Sequence, residues 1–207
     1  RLLVNQANFA NSTTFNNVYI IGVPRLENKT STNIQSNFLS TAQKQLIKND
    51  IHQNKVIGSE IVFSDPVYVA FDICGIGNLE SPSTAALDNS QIIIIPEENI
   101  VQDKDYLKSN VSSILTTYFS NKNCELGMLI DFTQLSNDIL NVDGVKSFYT
   151  TRTDDPTLKI EGLSLLSWNP VYDTADINVI NQNTQLPDYK FPYWFDTQSI
   201  VNKIIVQ

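Results

Sequence analysis

The stretch Asp103 to Phe119, DKDYLKSNVSSILTTYF, constrains this chain more than any other. Leu107, Val111, Ile114, Leu115 and Tyr118 recur at the spacing of one helical face, and Asp103 stands where its carboxylate can accept from the free N–H groups of the first turn. Lys104, Lys108, Asn110 and Thr117 occupy the other face. A helix of this pattern, about four turns long, has to lay its apolar stripe on something else. The strand-like stretches before and after it are the candidates. The helix itself carries no chemistry, and neither does any other stretch read from residue types alone.

With 207 residues and 42% apolar content the chain can bury a core, as one large domain or two small ones. A net charge of -8, with no Lys/Arg cluster, excludes nucleic acid as an expected partner, because sequence-independent affinity for it comes from neutralising phosphates. Residues 1 to 60 hold more basic than acidic side chains and the remainder is strongly acidic. Subunits that meet through these two regions should associate faster at low salt. Cys74 and Cys124 are far apart and His52 is the one histidine, so a four-ligand zinc site is excluded. The cysteines read as free and partly buried. No metal, cofactor or catalytic residue is expected. The aliphatic run Ile92 to Ile95 is too short to cross a bilayer, and no signal peptide is visible, so no membrane association is expected. A chain that begins at Arg1 and holds a single methionine, Met128, reads as the C-terminal part of a longer protein.

Residues 1 to 17, rich in Asn, Ser and Thr, read as an arm or linker. Val18 to Val23 reads as a strand closed by Pro24. Ser40 with Gln43 forms a capping box ahead of Leu46, Ile47 and Ile51, which predicts a helix over Thr41 to Asn54. His52 lies on it as a solvated residue with no nucleophile motif beside it. Glu60 to Phe63 and Val67 to Ile73 are strand-like runs broken at Ser64-Asp65-Pro66. In the second, Val67, Val69, Phe71 and Ile73 should face the core, and Tyr68, Ala70, Asp72 and Cys74 form a mixed face. Gly75-Ile76-Gly77 lacks the third glycine and the helix of a dinucleotide site. Gln91 to Ile95 suggests a short strand. After the Asp103 helix, a short helix through Leu140, a turn at Asp143-Gly144, and strands over Val145 to Thr151 and Ile160 to Trp168 follow. This order predicts an α+β domain over residues 18 to 168. In it a mainly antiparallel, split βαβ-like sheet contains Val67 to Ile73 and Val145 to Thr151, with the helices Thr41 to Asn54 and Lys104 to Phe119 on one face.

Residues 169 to 207 differ in kind, as an extended C-terminal segment ending in a strand over Ser199 to Val206. The part from Trp168 to Phe195 holds Trp168, Tyr172, Tyr189, Phe191, Tyr193, Trp194 and Phe195, is punctuated by Pro170, Pro187 and Pro192, and reads as a long aromatic loop. Interface cores are enriched in such rings and depleted in Lys and Glu. Trp168, Tyr172, Phe191, Tyr193, Trp194 and Phe195 are therefore candidate interaction residues, against the alternative that they cap the domain's own sheet. Four rings crowded around Pro192 should leave at least one outward, with Tyr193 or Trp194 as the anchor.

The pieces VYIIGVPR, QKQLIKNDIHQNKVIGSEIVFSDPVYVAFDI, DILNVDGVKSFYTTR, GLSLLSWNPVYD and LPDYKFPYWFD, in this order, resemble the large wedge subunit of contractile-tailed phage baseplates, the T-even branch of the baseplate J-like family. The resemblance spans about Val18 to Gln207 and is weakest over Ser81 to Asn99. It implies a structural protein of the virion, assembled in the host cytoplasm, that pairs with a second copy through its C-terminal region and contacts other baseplate wedge proteins. The family has no catalytic motif, so no catalytic residue carries over.

Two other classes compete with this reading. An acidic, aromatic-rich surface also suits a carbohydrate-binding, receptor-recognising tail module. A hydrolase on paired carboxylates, Asp154 with Asp155 or Asp173 with Asp176, is conceivable, although Asp154-Asp155-Pro156 reads better as a turn. The sequons at Asn11, Asn28 and Asn110 carry no weight without a secretory signal.

Overall fold

The structure, a computed structural model, describes residues 2–4, 17–24, 38–52, 60–75, 89–98, 103–120, 122–170, 177–196 and 200–207. In chain order its elements are β1 (Leu2–Val4), β2 (Asn17–Gly22), α1 (Thr41–His52), β3 (Glu60–Ser64), β4 (Val67–Ile73), β5 (Ser90–Pro96), α2 (Lys104–Tyr118), β6 (Leu129–Ile130), α3 (Phe132–Leu140), β7 (Val145–Arg152), β8 (Lys159–Glu161), β9 (Leu165–Trp168), β10 (Asn178–Ile180), β11 (Thr184–Gln185), β12 (Lys190–Trp194) and β13 (Ile204–Val206), with a 3₁₀ turn at Ile200–Lys203. The class is α+β. Two four-stranded sheets, ordered β10-β9-β4-β12 and β13-β5-β7-β8, stand beside a three-stranded sheet β1-β2-β3 and a ribbon β11-β6. Pairing is mainly antiparallel, with parallel joins at β2–β3, β4–β12 and β5–β13.

α2 is the helix that its apolar spacing demands. Asp103 accepts from the Asp105 N–H at 3.4 Å, and Leu107, Val111 and Leu115 are fully buried. The stripe belongs to the same core as two rows of side chains that run across β13, β5 and β7. The registers Ile204–Ile92–Thr150 and Val206–Ile94–Phe148 put each row on one face. α2 packs on β13, α3 packs on β7, and the two helices touch, so both lie on one face of this sheet. α3 is capped by Asp131, whose carboxylate accepts from the Gln134 N–H at 2.9 Å.

The second helix on that face is therefore α3, and α1 is not part of the layer. Its capping box forms as read: the Ser40 N–H donates to Gln43 Oε1 at 2.9 Å and the Gln43 N–H donates to Ser40 Oγ at 3.2 Å. Yet no α1 residue is buried, and Leu46 is 69% exposed. Caps and propensity make a helix locally, whereas burial needs an apolar stripe, and here only Ile47 and Ile51 share a face, both half-buried, with Leu46 off it. An ion pair from Lys44 to Asp65, 2.7 Å long, ties α1 to the turn between β3 and β4.

Val67–Ile73 and Val145–Arg152 also lie in different sheets. Gly162, at φ +76°, breaks the single strand expected over Ile160 to Trp168 into β8, which pairs with β7, and β9, which pairs with β4. That left-handed conformation costs a glycine little, so the chain crosses from one sheet to the other there. Just past β4 the chain runs against β7 at Gly75, where a Cβ would stand 2.3 Å from the Thr151 carbonyl oxygen. β4 is buried on both faces: Tyr68, Ala70 and Asp72 are as enclosed as Val69, Phe71 and Ile73.

Leu115→Ala should destabilise the protein by roughly 2–5 kcal/mol, as large-to-small changes in a closed core do. Leu46→Ala should stay within about 0.5 kcal/mol of the parent. Denaturant titration of the two variants checks both figures, and equal losses would mean that the assignment of buried and exposed helices is wrong.

Candidate functional site

The aromatic segment is built into the core as strands. β12 lies parallel to β4, with Phe191 opposite Tyr68, Tyr193 opposite Ala70 and Trp194 opposite Phe71. Pro192 fits here because β12 is the last strand of its sheet, where a missing N–H interrupts no ladder. Side chains of a strand alternate between faces, and both faces of β12 are covered. On one, Phe191 and Tyr193 meet the Tyr68 ring edge-on at 5.8 and 6.3 Å. On the other, Trp194 lies 5.3 Å from Phe119, which stacks on Phe71 at 5.0 Å. Trp168 and Phe195 meet at 4.9 Å.

Trp168, Phe191 and Trp194 are buried, Tyr193 is 9% exposed, and Phe195 is half-buried. An outward anchor at Tyr193 or Trp194 is thus not what this chain presents: strand alternation disposes of the crowding that seemed to force a ring into solvent. The Trp194 indole N–H donates to the Asp196 carbonyl at 3.1 Å. The Tyr193 hydroxyl has no partner among the described residues, and burial pushes its phenol well above the usual range. Tyr172 lies outside the described residues, as do Gly77, Asp173, Asp176, the sequons at Asn11 and Asn28, and Arg1, Arg25, Lys29 and Lys55 of the basic N-terminal region.

The other sequence candidates sit in ordinary structural settings. Arg152 pairs with Asp154 and holds its carboxyl below the ordinary value, while Asp155 accepts from the Thr157 N–H at 3.2 Å. The two carboxylates belong to a turn. Cys74 and Cys124 are buried thiols that are not joined in a disulfide. His52 is exposed on α1.

The sequence reading missed the most demanding electrostatic contact. Asp72, in the middle of the apolar run VYVAFDI, is buried, and Lys203 from the 3₁₀ turn reaches its Oδ2 at 2.7 Å. The Ile73 N–H donates to Oδ1 at 2.7 Å. Burial pushes the Asp72 carboxyl up, against the lowering effects of the Lys203 charge and hydrogen bond. A lone carboxylate inside a strand of large apolar residues was the available signal. Exposed apolar side chains include Tyr106, Leu129, Leu140 and Tyr189. Leu129 and Tyr189 sit on neighbouring segments, which the Gly127 N–H joins by donating to the Lys190 carbonyl at 2.9 Å. Compared with known proteins, the chain matches no protein-family model and no curated protein.

Lys203→Met should cost about 3–5 kcal/mol at neutral pH, because it strands a buried carboxylate. A folded-state pKa above the unfolded one means that protonation favours the fold. The loss should therefore shrink as the pH falls and Asp72 takes up its proton. Urea titrations at pH 7 and pH 5 would show this, and a loss that is the same at both would rule out an unpaired Asp72 as its cause.

Proposed function

We propose that this chain is a structural subunit of a contractile-tail baseplate, the C-terminal part of a large wedge subunit that pairs with a second copy and binds other wedge proteins. The observation that carries the reading is where the resembling pieces fall. DPVYVAFDI contains β4, GLSLLSWNP contains β9 and LPDYKFPYWFD contains β12, so three pieces are consecutive strands of one sheet. GVKSFYTTR contains β7, in the sheet beneath α2 and α3. These four pieces thus lie in segments that have to fold together, where sequence is constrained by packing. Virion localisation and assembly in the host cytoplasm belong to the same reading.

Since Trp168, Phe191, Tyr193 and Trp194 are spent on the core, the contact surface is expected among the apolar residues left outside, first the neighbours Leu129 and Tyr189. Light scattering over a range of concentrations should show a reversible dimer, alone or with a wedge partner protein. Leu129→Asp should weaken it by about tenfold or more with circular dichroism unchanged, whereas Trp194→Ala should lose folded signal first. A chain that stays monomeric at every concentration, and does not bind the wedge protein, would overturn the proposal.

A further inference from the structure

We propose that β8 is an interface strand, whose outer edge pairs antiparallel with β8 of a second copy of this chain. Among the described residues β8 (Lys159–Glu161) ends the sheet β13-β5-β7-β8, with β7 on one side only. The Gly162 N–H donates to the Phe148 carbonyl and Thr150 stands opposite Ile160, so the backbone groups of Ile160 turn toward β7. By the alternation of an antiparallel ladder, those of Lys159 and Glu161 turn toward the outer edge. Both side chains are exposed, and neither is in an ion pair among the described residues.

Edges of this kind are commonly guarded against stray pairing. At the far end of the same sheet, the Val206 carbonyl of β13 is occupied by Lys104 Nζ at 3.3 Å, and in the other four-stranded sheet the edge strand β12 contains Pro192. β8 carries two charges, but they do not guard it against its own copy. A two-fold axis through Ile160 sets Lys159 of each copy opposite Glu161 of the other, so opposite charges meet twice, where a strand with one sign of charge would be repelled. These are also the residues whose N–H and C=O groups face outward, so each Lys159–Glu161 pair can exchange two backbone hydrogen bonds. Lys159 rests its ammonium on the Tyr149 ring, 4.9 Å from the centroid, which leaves N–H donors on its other sides for a carboxylate. The same register brings Leu158, 42% exposed, opposite Gly162 of the second copy, where a Cβ would meet nothing within 4 Å and a leucine therefore has room. This edge shares no residue with the Leu129 and Tyr189 surface, and it does not rest on the wedge reading.

A contact this small is weak, so a covalent trap reads it best. On the axis Ile160 faces its own copy as a non-hydrogen-bonded pair, with Cα atoms about 4.5 Å apart, within disulfide reach. In the intact chain carrying Leu129→Asp, which removes the other surface, Ile160→Cys should form a covalent dimer under mild oxidation, the native Cys74 and Cys124 being buried. Adding Lys159→Glu or Glu161→Lys should lower the yield at least about fivefold, because each sets like charges together twice, and an equimolar mixture of the two should restore it. Sedimentation equilibrium of the same charge variants, with Ile160 in place, should give the same order, with circular dichroism unchanged. No association by either method, association indifferent to the charge reversals, or no recovery on mixing would overturn the proposal. None of these outcomes bears on the Leu129 surface, which is absent from every variant compared.

Discussion

A buried carboxylate has to be answered, and in this fold the answer comes from far away. Asp72 sits in β4 with almost no access to water, and Lys203, which neutralises it, is 131 positions further along the chain. Lys203 stands directly before Ile204, the first residue of β13, so the ion pair and the pairing of Ile204 with Ile92 form together. Buried pairs of this kind add little net stability compared with an apolar substitute, but a charge left alone is costly. The pair therefore acts chiefly on register: alternatives in which β13 slides along β5 would leave Asp72 unpaired.

Much of the local structure was legible in the sequence because its causes are local. Spacing of apolar residues fixed the face of α2, Asp103 and the Ser40–Gln43 box marked helix starts, and the Asp-Pro break separated β3 from β4. Parallel pairing of β4 with β12 and of β5 with β13 was not legible, since nothing near Val67 or Ile92 in the chain reports what will lie beside it. Pro192 read as a breaker, yet an edge strand tolerates it. Gly162 read as an interior strand residue, and only its backbone conformation reveals the crossing between sheets. For α1 the caps were right and the packing was wrong, since a cap says where a helix begins and not what it rests on.

The candidate site was legible in composition and not in direction. Seven aromatic residues between Trp168 and Phe195 are visible in any reading, but whether they face out depends on how many covered faces the segment has. β12 has two, one supplied by Tyr68 and one by Phe71 and Phe119.

The separation between Asp72 and Lys203 has a further consequence, in time. The entropy of closing a loop rises slowly with its length, by about 0.6 kcal/mol per doubling, so the finished fold is hardly weaker for joining such distant segments. The search for them is another matter, because folding slows as contacts become less local. Until β12 and β13 dock, β4 and β5 each present a bare edge of backbone donors and acceptors, flanked by large apolar side chains, to whatever strand is nearby. Long separation is thus felt during folding, in how long those two edges wait.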